Sequence, residues 1–272
     1  MNKEIRKMNN RILILIVILI PFNQIVLNYL FKIRFFVPLA KSTDYWIQPT
    51  LVANLLSLIV FSTLIFIIGK HNLFSVWLTK EKLKIAVLPI FFIWLLSQII
   101  TIVVTYFSKG DIVFIDRLNV LTGSLIGQLF GNATFEELIY RGILFLQIYI
   151  LLKPKTTNSN ALIISIIFSQ IVFALIHIPN RLMINQVDNL AMNLLGLFVA
   201  GVILTVIYIR TKNLVFVIGV HTLINQPFNI INTSFPMEYS IFILIILTTI
   251  LWHKITPKTI VKDIYKSETK IN

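Results

Sequence analysis

Phe135-Glu136-Glu137-Leu138-Ile139-Tyr140-Arg141-Gly142-Ile143-Leu144-Phe145 sets two adjacent carboxylates and a guanidinium inside an otherwise apolar run. The sequence on either side of it reads as membrane. An Asp or Arg at the centre of a membrane helix costs roughly 2.5–3.5 kcal/mol on the insertion scale. Three ionisable groups within six positions therefore need a reason. Ionisable residues inside a membrane face a bundle interior or a wet cavity, and are candidates for function.

Composition makes the same case for the whole chain. Of 272 residues, 57% are hydrophobic and 13% charged. Soluble domains sit nearer 45–50% and 25%. The expected fold class is all-α, a polytopic transmembrane helical bundle. The net charge of +13 would point to nucleic acid in a soluble protein. Here the basic residues lie in loops and tails, where they set topology and meet anionic lipid, so no nucleic-acid partner is expected. Cys is absent, which removes disulfides, a thiolate nucleophile and Cys-ligated metal. Abundant Ile and Asn fit an AT-rich bacterial genome.

Apolar stretches suggest about eight spans, at residues 12–31, 50–69, 85–107, a fourth ending near Leu152, 161–178, 190–209, 214–231 and 235–252. Each is near the ~20 residues a bilayer needs. No small-x-small cleavage site follows the first, so it reads as a retained helix. An even count puts both termini on one side. One set of loops and tails then holds seventeen Lys and Arg residues, and the other holds six. The positive-inside rule places the richer set, with both termini, in the cytoplasm. The fourth stretch is awkward, because residues 118–152 are too long for one crossing. Gly131-Asn132 is the expected break, with a short helix before it and the span proper from about Ala133. The organisation expected is residues 1–117 as three helices without motifs, 118–231 as the core, and 232–272 as a last helix and basic tail.

Glu137 and Arg141 stand at i,i+4 with the acid first, the better orientation for a helical pair. Glu136 points about 100° away and is left free for proton transfer. The competing reading is a buried ion-pair network in a transporter or scaffold. Phe173 and His177 lie one turn apart near the end of the fifth span, where His177 either caps the helix or joins a site. His221 and Asn225 share a face of the seventh span, where interhelical hydrogen bonding is the alternative. Span directions put Glu136, His177, His221 and Asn225 in the same half of the membrane, whichever side is outside.

Glu-Glu-x-x-x-Arg, Phe-x-x-x-His and His-x-x-x-Asn, in this order on successive apolar helices, resemble the CPBP (CAAX protease and bacteriocin-processing, or Abi) intramembrane proteases. The resemblance runs from about Leu121 to Ile231. It implies hydrolysis of a peptide bond in a membrane-associated protein or peptide, in a multi-pass protein of the cell membrane. Carried over by residue, Glu136 would be the base that activates water, and His177 would position that water. His221 and Asn225 would stabilise the oxyanion, with Glu137, Arg141 and Phe173 in support. The resemblance leaves open a divalent metal such as Zn2+, whose ligands would be Glu136, His177 and His221. No His-Glu-x-x-His is present, and a glutamate-and-water mechanism is equally open. The water would reach Glu136 through a polar cavity among the fourth to seventh spans. Two other classes compete. One is a non-proteolytic bacteriocin self-immunity or scaffold protein; the other is a small transporter with Glu136 as its proton site, against which stands the absence of an internal repeat.

Overall fold

The structure is a computed structural model and describes residues 7–183 and 188–255. Lys3, Arg6 and the basic tail beyond residue 255 lie outside the described residues. The described chain is helical, with a single isolated bridge between Phe114 and Ile231. Its helices are α1 (Asn10–Lys32), α2 (Val37–Ser42), α3 (Pro49–Ile68), α4 (Lys80–Lys109), α5 (118–152), α6 (Asn158–Leu175), α7 (Ile178–Met183), α8 (Leu190–Thr211), α9 (Leu214–Asn225) and α10 (Met237–Ile255). Among the described residues α1, α3, α4, α6 with its α7 extension, α8 and α10 are long and apolar enough to cross a membrane. The protein is a multi-pass, all-α membrane bundle.

The bundle is built inside out relative to a soluble domain. Ile14, Phe22, Ile59, Val87, Phe107 and Ile250 are exposed. Glu137, Arg141, Ser165, Gln170 and Thr205 are fully buried. Lipid tails are as apolar as leucine, so outward apolar faces gain nothing by turning in. Close packing and hydrogen bonds hold such helices together. Several helix starts are capped as their sequence dictates: Thr79, Thr157 and Asn213 each accept a hydrogen bond from the backbone amide three residues on. A two-residue turn joins α8 to α9. Lys212 there is left-handed at φ 47°, and the Asn213 side chain donates to the Lys82 carbonyl, fastening the turn to α4.

The expected break at Gly131-Asn132 does not occur. α5 runs without interruption, but it widens twice into π-helix, at Gly127–Asn132 and Leu138–Phe145. The Thr134 hydroxyl donates to the Leu129 carbonyl, five residues back, and so adds a side-chain hydrogen bond to the first widened stretch. Every residue from 137 to 147 is buried, so this rod is the centre of the bundle. A helix apolar on all sides belongs there. α9 also differs from expectation. It ends at Asn225, since Gln226 is extended and Pro227 follows, so residues 226–231 are not helical.

The first third of α5 reaches its neighbours through glycine. Gly123, Gly127 and Gly131 form a stripe facing α3 and the loop before it. A Cβ at Gly123 would sit 2.1 Å from the Tyr45 carbonyl oxygen, and one at Gly131 would sit 3.1 Å from that of Thr50. Small residues at this spacing let two backbones approach. Gly196, on α8, has nothing within 4 Å of the same position. Gly123→Ala should therefore cost about 1–3 kcal/mol through overpacking. Gly196→Ala should be neutral or stabilise by up to about 1 kcal/mol through helix propensity. Melting of the two purified variants in detergent checks the contrast, and equal melting points would refute the packing role of Gly123.

Candidate active site

The Glu137–Arg141 pair lies at the centre of α5. The two groups are 3.0 Å apart, and neither side chain is exposed. Arg141 also donates to the Gln170 side chain on α6 (3.1 Å) and to the Gly201 carbonyl on α8 (3.2 Å). Its guanidinium lies 4.7 Å from the centroid of the Phe173 ring. Gly201 permits this approach, because a Cβ there would come within 2.4 Å of the Gln170 oxygen. One cation thus ties three helices together. Gln170 and Gly201 were not singled out from the sequence, although a glutamine one turn before Phe173 in an apolar helix was a usable signal.

Glu137 holds a second partner that sequence spacing did not suggest. His221 Nδ1 lies 2.6 Å from Glu137 Oε1. The carboxylate accepts, so Nδ1 carries the hydrogen and donates. Asn225 Nδ2 lies 3.0 Å from His221 Nε2 and 3.2 Å from the Gln128 side-chain oxygen. In the neutral imidazole that follows, Nε2 is an acceptor and takes the Asn225 hydrogen. A hydrogen-bonded chain therefore runs Arg141, Glu137, His221, Asn225, Gln128.

His177 is placed by backbone. It sits in the turn between α6 and α7, not on the helix as expected, and its Nδ1 donates to the Phe173 carbonyl at 2.7 Å. Its ring meets the Phe173 ring edge-on at 4.8 Å. Phe173 therefore touches both Arg141 and His177.

Glu136 occupies the space these groups leave. Its Oε1 is 3.6 Å from His177 Nε2, and its Oε2 is 3.6 Å from His221 Nε2. Each imidazole has its Nδ1 hydrogen committed elsewhere, so each turns Nε2 toward a different oxygen of one carboxylate. When both rings are neutral, those atoms are all acceptors. Such a gap suits a group that brings hydrogens of its own, such as water. The Glu136 side chain keeps 12% exposure and that of His177 15%, against none for Glu137, and Asn225 at the end of α9 is exposed. The site thus opens toward the end of the bundle where α9 stops.

The donor set does not fit a metal ion. Among the described residues no three His, Cys, Asp or Glu side chains are placed to hold one. The His221 lone pair that would face a metal already accepts from Asn225. An apolar cavity lies beside the site. It measures about 780 Å³, lies between α4, α5 and α9, and includes Phe91, Trp94, Thr134, Ile218 and Thr222 in its wall. Thr134 and Thr222 adjoin the site in sequence, but Glu136, His177, His221 and Asn225 do not line the cavity.

The family model described as type II CAAX prenyl endopeptidase Rce1-like matches residues 119–226. Over these residues the chain is similar to that family. The match opens as α5 begins and closes just after α9 ends, and it contains all seven candidate residues. It agrees with the CPBP resemblance read from the three motifs. That family is one of proteases, whose substrates are peptides or proteins. No curated protein and no solved structure matches the chain.

Arg141→Ala would leave Glu137 buried and without its cation. Breaking a buried pair in this way costs about 3–5 kcal/mol. The variant should accumulate poorly in membranes and melt early. Arg141→Lys should recover only part of the loss, since a lysine cannot serve three acceptors with a planar fork. Unchanged accumulation and melting in Arg141→Ala would refute the structural role of the pair.

Proposed function

We propose that the protein is an intramembrane endopeptidase of the CAAX-protease-like (CPBP) kind. It hydrolyses a peptide bond of a membrane-associated protein or peptide with a glutamate-activated water. The observation that carries this reading is the placement of two imidazole Nε2 atoms, one from the α6–α7 turn and one from α9, 3.6 Å from the two oxygens of Glu136. A scaffold that acts by binding has no use for such convergence.

Glu136 is the general base. A water between Glu136 Oε1 and His177 Nε2 donates one hydrogen to each and turns a lone pair outward. As Glu136 takes the proton, the water oxygen adds to the carbonyl carbon of the substrate. Asn225 stabilises the resulting oxyanion, with an N–H swinging from the His221 imidazole to the substrate oxygen, and His221 holds Asn225 in place for that step. Glu136 then returns the proton to the nitrogen as the C–N bond breaks, leaving an acid and an amine. Proton transfer by a placed side chain contributes about 10²–10⁴-fold to rate, and one oxyanion donor about 10²–10³-fold. Glu137 and Arg141 hold His221 and α5, and Phe173 supports His177.

In this reading the catalytic unit is residues 118–231, within the cell membrane of a bacterium. The chain crosses eight times with both termini in the cytoplasm, counting α5 and the short α9 as spans enclosed by the six longer ones. The basic loops support that orientation, which puts the site in the outer half of the membrane and in contact with lipid.

Glu136→Gln should reduce proteolysis by at least about 10²-fold while leaving melting unchanged. The check compares peptide termini in membranes and medium of cells expressing wild type or variant at equal levels. Termini present with both proteins in equal amount would sink the mechanism. Asn225→Ala should lower turnover of the same products by about 10²–10³-fold with little effect on KM.

A further inference from the structure

The hydrogen count at Asn225 raises a question about the oxyanion. A carboxamide nitrogen carries two hydrogens. One lies on His221 Nε2 at 3.0 Å and the other on Gln128 Oε1 at 3.2 Å. Both are spent in the resting site. His221 offers no donor either, because its Nδ1 hydrogen is on Glu137 and its Nε2 is accepting. The side chain next in the chain of bonds is in the opposite condition. Gln128 accepts through its oxygen, and among the described residues its Nε2 has no hydrogen-bond partner. It is half-buried, beside the exposed Asn225, at the open end of the site.

The backbone holds Gln128 in place. It lies in the first π-helical stretch of α5, Gly127–Asn132. The glycines on either side of it, Gly127 and Gly131, press against Gln48, Thr50 and Leu51 at the start of α3. The Asn225 contact fixes the carboxamide oxygen and leaves its two N–H groups to point elsewhere. A held donor that no protein group engages is what a developing negative charge requires, because no bond within the protein must be broken when the charge appears.

We propose that Gln128 is a catalytic residue of this site, whose Nε2–H groups donate to the substrate carbonyl oxygen that becomes the oxyanion. The assignment rests on the proteolytic reading above. Asn225 then serves first to orient Gln128 and His221, and joins the oxyanion after rearrangement.

Two substitutions separate donation from positioning. Gln128→Glu keeps an oxygen for Asn225 but removes both hydrogens. Gln128→Met removes oxygen and hydrogens alike. The assay is cleavage of a quenched-fluorescent peptide spanning a terminus that depends on Glu136, with purified full-length protein in detergent across a pH series. Both variants should lose about 10²-fold in kcat, with KM changed less than threefold and melting as in wild type. The loss in Gln128→Glu should be the same at every pH. Activity near wild type in Gln128→Glu, with loss only in Gln128→Met, would make Gln128 a positioning residue and overturn the proposal. So would a Gln128→Glu loss that recovers at another pH, which would trace it to the added charge, or a Gln128→Glu chain that no longer folds. Equal cleavage by wild type and Glu136→Gln would overturn the proteolytic reading, and this assignment with it.

Discussion

Arg141 is a guanidinium without solvent in the middle of an apolar bundle, and it must be matched. Removing two charges from water costs several kcal/mol per ion, and only good geometry with further hydrogen bonds offsets this. Glu137, the Gln170 oxygen, the Gly201 carbonyl and the Phe173 face supply that geometry. They come from α5, α6 and α8, so satisfying one side chain sets the rotation of α5 against two neighbours. Glu136 is the next residue but points about 100° away. Once α5 cannot turn, Glu136 has to face the space between α6 and α9. Its meeting with His177 and His221 follows from the partnering of Arg141.

The rest of the bundle serves this rod. α5 is enclosed over 137–147, and a helix can be enclosed only if its neighbours come close. In lipid no hydrophobic force draws helices together, so approach depends on small residues and on polar groups that bond across. The glycine stripe at 123, 127 and 131 admits α3, and Gly201 on α8 admits Gln170 and Arg141. The two π-helical stretches flank Glu136 and Glu137. Each widened turn carries an extra residue and re-aims the side chains beside it, which is why such turns gather at functional sites.

The imidazoles are fixed by different means for one result. A backbone carbonyl holds His177 Nδ1 and a buried carboxylate holds His221 Nδ1. Either anchor commits the Nδ1 hydrogen and leaves Nε2 toward Glu136. Glu137 thus does more than balance Arg141. The same oxygen, Oε1, receives both Arg141 and His221, which joins the ion pair that holds the fold to the histidine at the site.

Much of this protein was legible in the residues alone. Apolar runs of membrane length showed an all-α membrane bundle, because lipid leaves the backbone few other ways to satisfy its hydrogen bonds. The cost of charge in such runs pointed to Glu136, Glu137 and Arg141, and the i,i+4 spacing foretold their pair. The continuity of α5 was not legible. Gly131-Asn132 reads as a breaker locally, yet the helix widens there, the Thr134 hydroxyl bonds back to the Leu129 carbonyl and the backbone is sheltered by α3. Nor were the bonds from Glu137 to His221, from Arg141 to Gln170 and Gly201, or from Asn225 to Gln128. Their partners are 29 to 97 residues apart, and no local period relates them. The sequence by itself determined which groups are too polar for lipid and must find partners. Only the tertiary structure decided which partners they find, because that depends on how closely and at what rotation the helices pack.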